Sequence, residues 1–357
     1  MKYSIYFKLI LFGFAIAFLA ASCTKVGPQG LPGQNGTNGI DGTNGTDGTA
    51  VCSACHSNDQ LIYSIEQQYA ASGHATGTAF ERNTGECATC HTSQGFIGKL
   101  NGTYDWTDPN AEIHNPAPQN CYTCHSIHKT YTTADLALTV SGPIAMRNIS
   151  ATHDFGKGDV CASCHQGRTV EPDIFPTNSI QDSITIGSRY GLHHGPQSNI
   201  LAGVGMGLFE VGDGLSNHPH SSITDACVTC HMADAYGTQA GGHTWNMTYV
   251  SHGATDINSA GCYAAGCHDD NEDMNETVEG LQTEVKALLA ELKVKLDASG
   301  ITKSTSTSNN SGKFPELVCG AFLDYDAITQ DGSFGVHNPK YVKKLLENVI
   351  DAMDALN

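Results

Sequence analysis

The sequence has 357 residues, with 18 Lys and Arg against 36 Asp and Glu, and its formal net charge at pH 7 is −18. A chain this acidic is excluded from the usual classes of nucleic-acid-binding and anionic-lipid-binding proteins, because both kinds of partner are themselves negatively charged. Large apolar residues are scarce, whereas 14 Cys and 17 His are many more than an ordinary core requires. These counts indicate that the cysteines and histidines carry the function of the chain.

The N-terminus predicts export. Two lysines precede an apolar run from Leu9 to Ala20, which is too short to span a membrane and is typical of a secretory signal. The stretch Leu19-Ala-Ala-Ser-Cys23 resembles a bacterial lipobox, although its large apolar residue stands one position further from the cysteine than usual. We expect residues 1–22 to be a signal peptide and Cys23 to be lipidated. That would anchor the protein to the outer membrane, at its periplasmic face or at the cell surface; cleavage beside a spare cysteine is the alternative.

Residues 23–50 continue as a collagen-like repeat. Glycine recurs at every third position from Gly27 to Gly48, which is the period of a collagen triple helix. Only Pro28 and Pro32 stiffen it, so we favour a flexible tether over a triple helix that would make the protein a trimer. The lipid-anchor cysteine and the tether would together hold the rest of the chain off the membrane.

Residues 51–268 contain six paired cysteines, each pair followed at once by a histidine. Five have the form C-x-x-C-H, the attachment signature of haem c, and the sixth has four residues between Cys262 and Cys267. In such a motif the thiols add to the porphyrin vinyl groups and the histidine becomes the proximal iron ligand. Neither zinc sites nor disulfides explain a histidine after every second cysteine. The sequence therefore predicts six haem c groups in a six-haem region.

The predicted ligands follow from these motifs. The attaching cysteines are Cys52, Cys55, Cys87, Cys90, Cys121, Cys124, Cys161, Cys164, Cys227, Cys230, Cys262 and Cys267. The proximal histidines are His56, His91, His125, His165, His231 and His268.

Eleven histidines remain, and a second imidazole on each iron would use six of them. The candidates, chosen from local context, are His74, His114, His128, His194, His220, His243 and His337. His114 and His337 both precede Asn-Pro, and the glycines before His243 permit close approach to a flat ring. His193 remains the alternative to His194, and His218 the alternative to His220, while His153 and His252 rank lowest. Seven candidates for six sites leave one surplus, or one that serves a neighbouring protomer.

Regular structure is predicted to be sparse around the motifs and richer after them. One helix is expected from Asp59, as its N-cap, to Ala71. In the segment 269–357, apolar residues recur at helical spacing over 274–298, and a second helix begins with Asn338 as N-cap and Pro339 at its first position. These helices are expected to pack on each other or on the haem core, with a dimer seam as the alternative. The predicted fold class is mainly α with extensive loops, built around stacked covalent haems, with little or no sheet.

The sequence resembles the bacterial multihaem c-type cytochromes over residues 51–357. The stretches His193-His-Gly-Pro-Gln, Cys227-Val-Thr-Cys-His-Met and Gly241-Gly-His-Thr-Trp resemble a recurring pattern of that superfamily. The end, from Asp331 to Tyr341 and the following helix, resembles the C-terminal segment of nitrite-reductase-related cytochromes. Pentahaem nitrite reductases commonly carry a C-x-x-C-K site, which is absent here. The resemblance therefore implies haem attachment and stacking, and not the reductase activity.

The expected function is electron transfer along a chain of bis-histidine haems, in periplasmic or extracellular respiration, without catalytic residues. The partners expected are redox proteins with a basic docking face, which would suit the acidic chain. One alternative is a reductase of a small nitrogen or sulfur oxyanion with one open haem. Another is a homo-oligomer or filament subunit, because six-haem outer-surface cytochromes that polymerise into filaments are similar in haem count and size. Cys319 is expected to be a buried inert thiol, or else to form an intermolecular bridge.

Overall fold

The computed structural model describes residues 56, 59–172, 183–210, 214–264, 266–303 and 308–356. They all belong to a single unit, Thr49–Asn357. The predicted signal peptide, the lipid-anchor Cys23, the tether and the cysteines Cys52 and Cys55 lie outside the described residues.

Helices and long irregular stretches alternate along the described chain. The α-helices are α1 (Asp59–Ala70), α2 (Gly73–Thr76), α3 (Gly85–His91), α4 (Ser93–Leu100), α5 (Cys121–Cys124), α6 (Asp159–Ala162), α7 (Gln197–Ala202), α8 (Cys227–His231), α9 (Ala260–Ala264), α10 (Met274–Ser299), α11 (Glu316–Asp331) and α12 (Pro339–Asp354). Single 3-10 turns lie at Ala79–Glu81, Thr133–Leu136, Gly156–Gly158, Leu208–Glu210, Pro219–Ser222 and Gly242–Thr244. The predicted fold class, mainly α with extensive loops, is confirmed.

Sheet is a minor component of the described residues. The strands are β1 (Ile144–Ala145), β2 (Thr152–His153), β3 (Ile184–Ile186), β4 (Thr248–Ser251), β5 (Ala254–Ile257) and β6 (Gly312–Phe314). They form three two-stranded antiparallel sheets, β1 with β2, β3 with β6 and β4 with β5. In the second sheet Ile184 faces Phe314, which ties the middle of the chain to the segment between α10 and α11.

The main hydrophobic core lies among α10, α11 and α12. Val285, Leu292 and Leu345 are completely buried in it, together with Leu192 and Ile200 from the middle of the chain. Burial of a Leu or Ile side chain contributes about 1.5–3 kcal/mol, so this cluster stabilises the C-terminal part of the structure strongly. The helices predicted there begin at Met274 and Pro339, as the sequence indicated.

Asn338 occupies the N-cap position of α12, but its side chain makes no capping hydrogen bond. Its Oδ1 instead accepts a hydrogen bond from the His218 amide at 2.8 Å. Its Nδ2 donates to the carbonyl oxygens of Ile200 and Leu201 at 3.1 and 3.2 Å. The residue therefore joins the start of α12 to two earlier segments.

Helix α11 was not predicted from the sequence. Val318, Ala321, Phe322 and Leu323 are all buried, and so is the polar residue Asp324. A helix that is buried on most of its surface has no polar face, and without one the periodic pattern that identifies a helix is lost. Gly320 in its middle lets Leu208 and Phe209 pack closely, because an added Cβ would meet their side chains at 3.1–3.2 Å.

Candidate haem-binding sites

The described cysteine motifs lie in or next to short helices. Helix α3 contains both cysteines and the histidine of the second motif, and α5 and α8 hold the cysteines of the third and fifth. Residues three apart lie on one face of a helix, so the two thiols of a motif face the same side. In the stretched motif, Cys262 lies in α9, and Gly266 before Cys267 has a φ of +71°. That left-handed residue turns the chain back toward the preceding helix.

We number the sites by the motif that supplies the cysteines. They are site I (Cys52, Cys55), site II (Cys87, Cys90), site III (Cys121, Cys124), site IV (Cys161, Cys164), site V (Cys227, Cys230) and site VI (Cys262, Cys267).

The structure brings the histidine of each of sites II to VI opposite a second histidine from a distant segment. The ring centroids are 6.2 Å apart for His91 and His193, 6.4 Å for His125 and His243, 6.1 Å for His165 and His74, 6.2 Å for His231 and His337, and 6.3 Å for His268 and His220. Five separations within so narrow a range indicate one common arrangement.

These separations fit one metal ion held between two imidazoles. A metal–imidazole bond is about 2 Å long. Two such bonds on opposite sides of one metal, with about 1 Å from each nitrogen to its ring centre, place the ring centres roughly 6 Å apart. The paired residues therefore fit an axially ligated iron, with the cysteines beside it to hold the porphyrin.

The hydrogen bonds of the rings point to the same arrangement. Nδ1 of His125 lies 2.8 Å from the carbonyl oxygen of Leu136, and Nδ1 of His231 lies 2.8 Å from that of Trp245. Nδ1 of His220 lies 2.7 Å from the carbonyl oxygen of Val336. A carbonyl oxygen only accepts, so Nδ1 carries the proton and donates. The Nε2 lone pair is then free to bind a metal.

Two rings donate to carboxylates instead. His268 Nδ1 lies 2.8 Å from Glu272 Oε2, and His337 Nδ1 lies 2.6 Å from Asp331 Oδ1. The Asp331 side chain is 0% exposed, whereas that of Glu272 is 45% exposed. Sites V and VI therefore each have an anion behind one imidazole, and the anion of site V is shielded from solvent.

Burial keeps most of the paired imidazoles in the neutral form that binds metals. Burial, assisted by the neighbouring His165, lowers the pKa of His74 to about 4. Burial and the Arg168 guanidinium lower the pKa of His193 to about 4. At His337 burial also acts to lower the pKa, but the charge and hydrogen bond of Asp331 raise it above its usual value. A neutral imidazole offers its lone pair without first losing a proton.

The structure differs from the sequence prediction at the adjacent residues His193 and His194. His193, and not the predicted His194, faces His91. His193 has a φ of +72°, and this left-handed backbone directs the two adjacent rings differently. His194 is exposed, and its Nδ1 lies 2.7 Å from Gln330 Oε1. Of His218 and His220, the predicted His220 faces His268, the proximal histidine of site VI.

The remaining candidates are not brought to a proximal histidine within the described residues. His114 is exposed, and so is His128, whose ring is stacked on Tyr131 at 5.6 Å and lies edge-on to Tyr122. His56 is exposed, and the cysteines of its site lie outside the described residues. The second ligand of site I therefore stays a prediction, divided between His114 and His128.

The sites are adjacent to one another, with site IV at the centre. The thiols of Cys90 in site II and Cys164 in site IV are neighbours, and each shifts the pKa of the other. The same holds for Cys161 in site IV and Cys227 in site V. Cys124 of site III is close enough to act electrostatically on both cysteines of site IV. Site IV thus borders sites II, III and V.

Sites V and VI complete the series, since Cys262 acts electrostatically on Cys230. A continuous cavity of about 1420 Å³ is lined by cysteines and histidines of sites II, IV, V and VI and by Cys124 of site III. Its volume exceeds the 300–1,000 Å³ that is usual for one small ligand. The cavity therefore has room for more than one large group.

Metal clusters of the usual kind are not found in the described part of the chain, where no three His, Cys, Asp or Glu side chains converge on one point. Nor does any helix among the described residues have the length and apolar character to cross a membrane.

No protein-family model matches the sequence, and no curated protein matches it. Among solved structures, the fold is similar to that of the outer cell wall cytochrome OcwA, with 21% identity and a TM-score of 0.47, over 80% of this chain and 49% of that chain. It is also similar to an undecahaem cytochrome from the S-layer of Carboxydothermus ferrireducens, with 17% identity and a TM-score of 0.41, over 82% of this chain and 40% of that one. The chain thus spans half or less of the length of either structure. Both of those proteins are cytochromes.

Proposed function

We propose that this chain is an exported hexahaem c-type cytochrome that transfers electrons along a series of bis-histidine haems. The observation that carries the proposal is the set of five histidine pairs. Each pair combines the histidine of a cysteine motif with one from a distant segment, at 6.1–6.4 Å between ring centroids. A disulfide or dithiol site would not require that second histidine, and a Cys2His2 zinc site would require its four ligands to converge on one point, which no three His, Cys, Asp or Glu side chains do among the described residues.

In this proposal the protein holds the haems, positions them and tunes them. Haem c, when bound, supplies an iron that accepts and releases single electrons. The cysteines would attach each group, and the paired imidazoles would hold its iron from two sides, which would leave no position for a substrate. The Nδ1 hydrogen bonds fix the ring orientations and set the basicity of the imidazoles. General acids, bases and nucleophiles are not needed.

The contacts between sites support transfer through the protein. Site II borders site IV through Cys90 and Cys164, and site IV borders site V through Cys161 and Cys227. Haems attached at these cysteines would therefore be neighbours, and electrons would not have to cross wide stretches of protein. The excess of acidic residues suits an encounter with a redox protein that presents a basic face.

The N-terminal sequence supports a location outside the cytoplasm. A signal peptide over residues 1–22 and lipidation of Cys23 would anchor the chain in the outer membrane, with the glycine-rich tether as spacer. Replacing Cys23 with serine should release the protein from the membrane fraction without changing its haem spectrum. Continued membrane association of the variant would contradict the lipid anchor.

The haem number is tested by the intact mass of the full chain produced with a cytochrome c maturation system. Six covalent haems are expected. The double variant Cys262→Ala, Cys267→Ala should carry one fewer, whereas Cys319→Ala should still carry six. Five haems in the unaltered protein, with free thiols at Cys262 and Cys267, would remove site VI from the proposal.

The ligation is tested by electron paramagnetic resonance and absorption spectra of the same protein. All irons should be low-spin in both oxidation states. A high-spin component together with rapid turnover of nitrite, hydroxylamine or a sulfur oxyanion would favour the reductase alternative. Gel filtration of the protein with and without residues 27–50 would report on the trimer and filament alternatives.

A further inference from the structure

Trp245 contacts three haem sites, although the sequence motif around it was assigned only to the ligand His243. The indole lies edge-on to the His74 ring at 4.7 Å and edge-on to the His243 ring at 5.8 Å. Its carbonyl oxygen accepts the hydrogen bond from Nδ1 of His231 at 2.8 Å. His243, His74 and His231 belong to sites III, IV and V respectively.

The backbone holds Trp245 in an unusual conformation. Its φ is +56°, in the left-handed region that bulky residues rarely adopt. The turn before it contains Gly241 and Gly242, where an added Cβ would lie only 2.5 Å from Asn258 and 2.3 Å from Gln68. Thr244 is buried, and its hydroxyl donates to the Gly241 carbonyl oxygen at 2.7 Å. Such strain persists where the surroundings determine the conformation, and it is concentrated at functional positions.

The two parts of Trp245 act on different sites. The side chain packs against one imidazole of site III and one of site IV, and so restricts how both rings rotate about their axial direction. The backbone carbonyl, which any residue at this position would supply, fixes the third imidazole in site V. A substitution of the Trp245 side chain is therefore expected to affect sites III and IV and to leave site V unchanged.

We propose that Trp245 is a shared positioning residue that sets the axial imidazoles of sites III and IV together and so couples site III to the centre of the series. This inference depends on the proposed bis-histidine ligation. Sites III and IV are neighbours, because Cys124 of site III lies close enough to act electrostatically on both cysteines of site IV. The indole is the side chain in contact with an axial imidazole of each.

The test uses full-length haem-loaded protein carrying Trp245→Leu, with Trp106→Leu as a matched control. Trp106 is the second tryptophan of the chain; it is 38% exposed and lies 5.0 Å from the Lys99 ammonium group. We expect Trp245→Leu to keep six covalent haems while two of the low-spin resonance signals shift, those of sites III and IV. The signal of site V should not move, and Trp106→Leu should change none. Loss of a signal in His243→Met and in His74→Met identifies which signals belong to sites III and IV.

The conservative variant Trp245→Phe distinguishes a role in positioning the imidazoles from a role in folding. Its smaller ring should keep the closer contact to His74 and weaken the longer one to His243, so that the site III signal alone shifts. If Trp245→Leu does not fold, an unchanged spectrum in Trp245→Phe would overturn the proposal. Unchanged spectra in both variants would do the same, as would an equal shift of all six signals. Failure of the proposed function would be seen separately, as high-spin irons or missing haems in the unaltered protein.

Discussion

Replacing Asp331 with asparagine tests how strongly a buried carboxylate controls the redox potential of site V. Asp331 Oδ1 accepts the hydrogen bond from His337 Nδ1 at 2.6 Å, and its side chain is 0% exposed. The amide and the hydroxyl of Ser333 both donate to its other oxygen. Asparagine has nearly the same shape, and its one oxygen can keep the hydrogen bond from His337, but its Nδ2 replaces the oxygen that accepts from Ser333. The substitution therefore removes the negative charge together with the hydrogen bonds from Ser333.

The size of the effect follows from the position of that charge. A metal bound at Nε2 of His337 would lie roughly 7 Å from the carboxylate, and at an effective dielectric constant of about 20 two unit charges interact over this distance by about 2 kcal/mol. The carboxylate stabilises the more positive, oxidised state by this amount. For a one-electron couple, about 1.4 kcal/mol corresponds to about 59 mV. The potential of site V is therefore expected to rise by roughly 90 mV in Asp331→Asn.

The assay is an optical redox titration of the full-length protein, compared with Asp351→Asn, which removes the same charge from an exposed position on α12. One component of the titration should move upward in Asp331→Asn, and none in Asp351→Asn. Glu272→Gln provides a graded comparison, because that carboxylate also faces a ligand but is 45% exposed. Its effect should be smaller and should decrease in high salt. If no component moves upward in Asp331→Asn, the carboxylate does not tune site V.

Three further predictions concern single residues. His193→Ala should convert one iron to the high-spin state while His194→Ala leaves the spectrum unchanged; the opposite result would restore the ligand that the sequence predicted. The pKa of Asp324 is raised well above its usual value by burial and by Glu210, and neither carboxyl oxygen has a hydrogen-bond partner in the described structure. The stability that the neutral Asp324 side chain contributes is therefore fully present below the unfolded pKa of about 3.9, and it is lost as the pH rises toward the folded pKa. The free energy of unfolding should fall by about 1.4 kcal/mol per pH unit, which corresponds to about 2–4 °C of melting temperature. Asp324→Asn should lack this decline in melting curves recorded from pH 4 upward, and an unaltered pH dependence would contradict the assignment. Cys319 is 0% exposed and burial raises its pKa to about 12, so alkylating reagents at pH 8 should leave it unmodified in the folded protein; a disulfide-linked dimer on a non-reducing gel would show the intermolecular bridge instead.

The features that depend on short stretches of sequence were the easiest to predict. Helix α1 was expected over Asp59 to Ala71 and runs over Asp59–Ala70, because an N-terminal signal and a following glycine delimit it. Helices α10 and α12 carry apolar stripes on otherwise polar surfaces, and these stripes do pack on each other. The haem motifs are likewise local, since the spacing of two thiols within one helical turn requires no knowledge of the fold.

Features that depend on the whole fold could not be derived in this way. The choice between His193 and His194 depends on one left-handed residue in a chain where both rings are adjacent in sequence. The role of Asp331 depends on its burial against His337, and that of Trp245 on contacts to His74, which lies far away in sequence. Nothing in the local sequence distinguishes these residues from ordinary polar or aromatic ones.

The distribution of buried side chains indicates that the two ends of the described chain are stabilised differently. Helices α10 to α12 share an apolar core, whereas Ala88 and Phe96 are the buried hydrophobic residues of the described stretch 59–142. A stretch with so little buried apolar surface does not repay the entropy of ordering its backbone. Three histidine pairs, those of sites II, III and IV, each join this stretch to a segment beyond residue 160. Haem attachment and the folding of residues 59–142 are therefore expected to be one event, as in small domains that fold around a metal, while the C-terminal helices depend on ordinary burial.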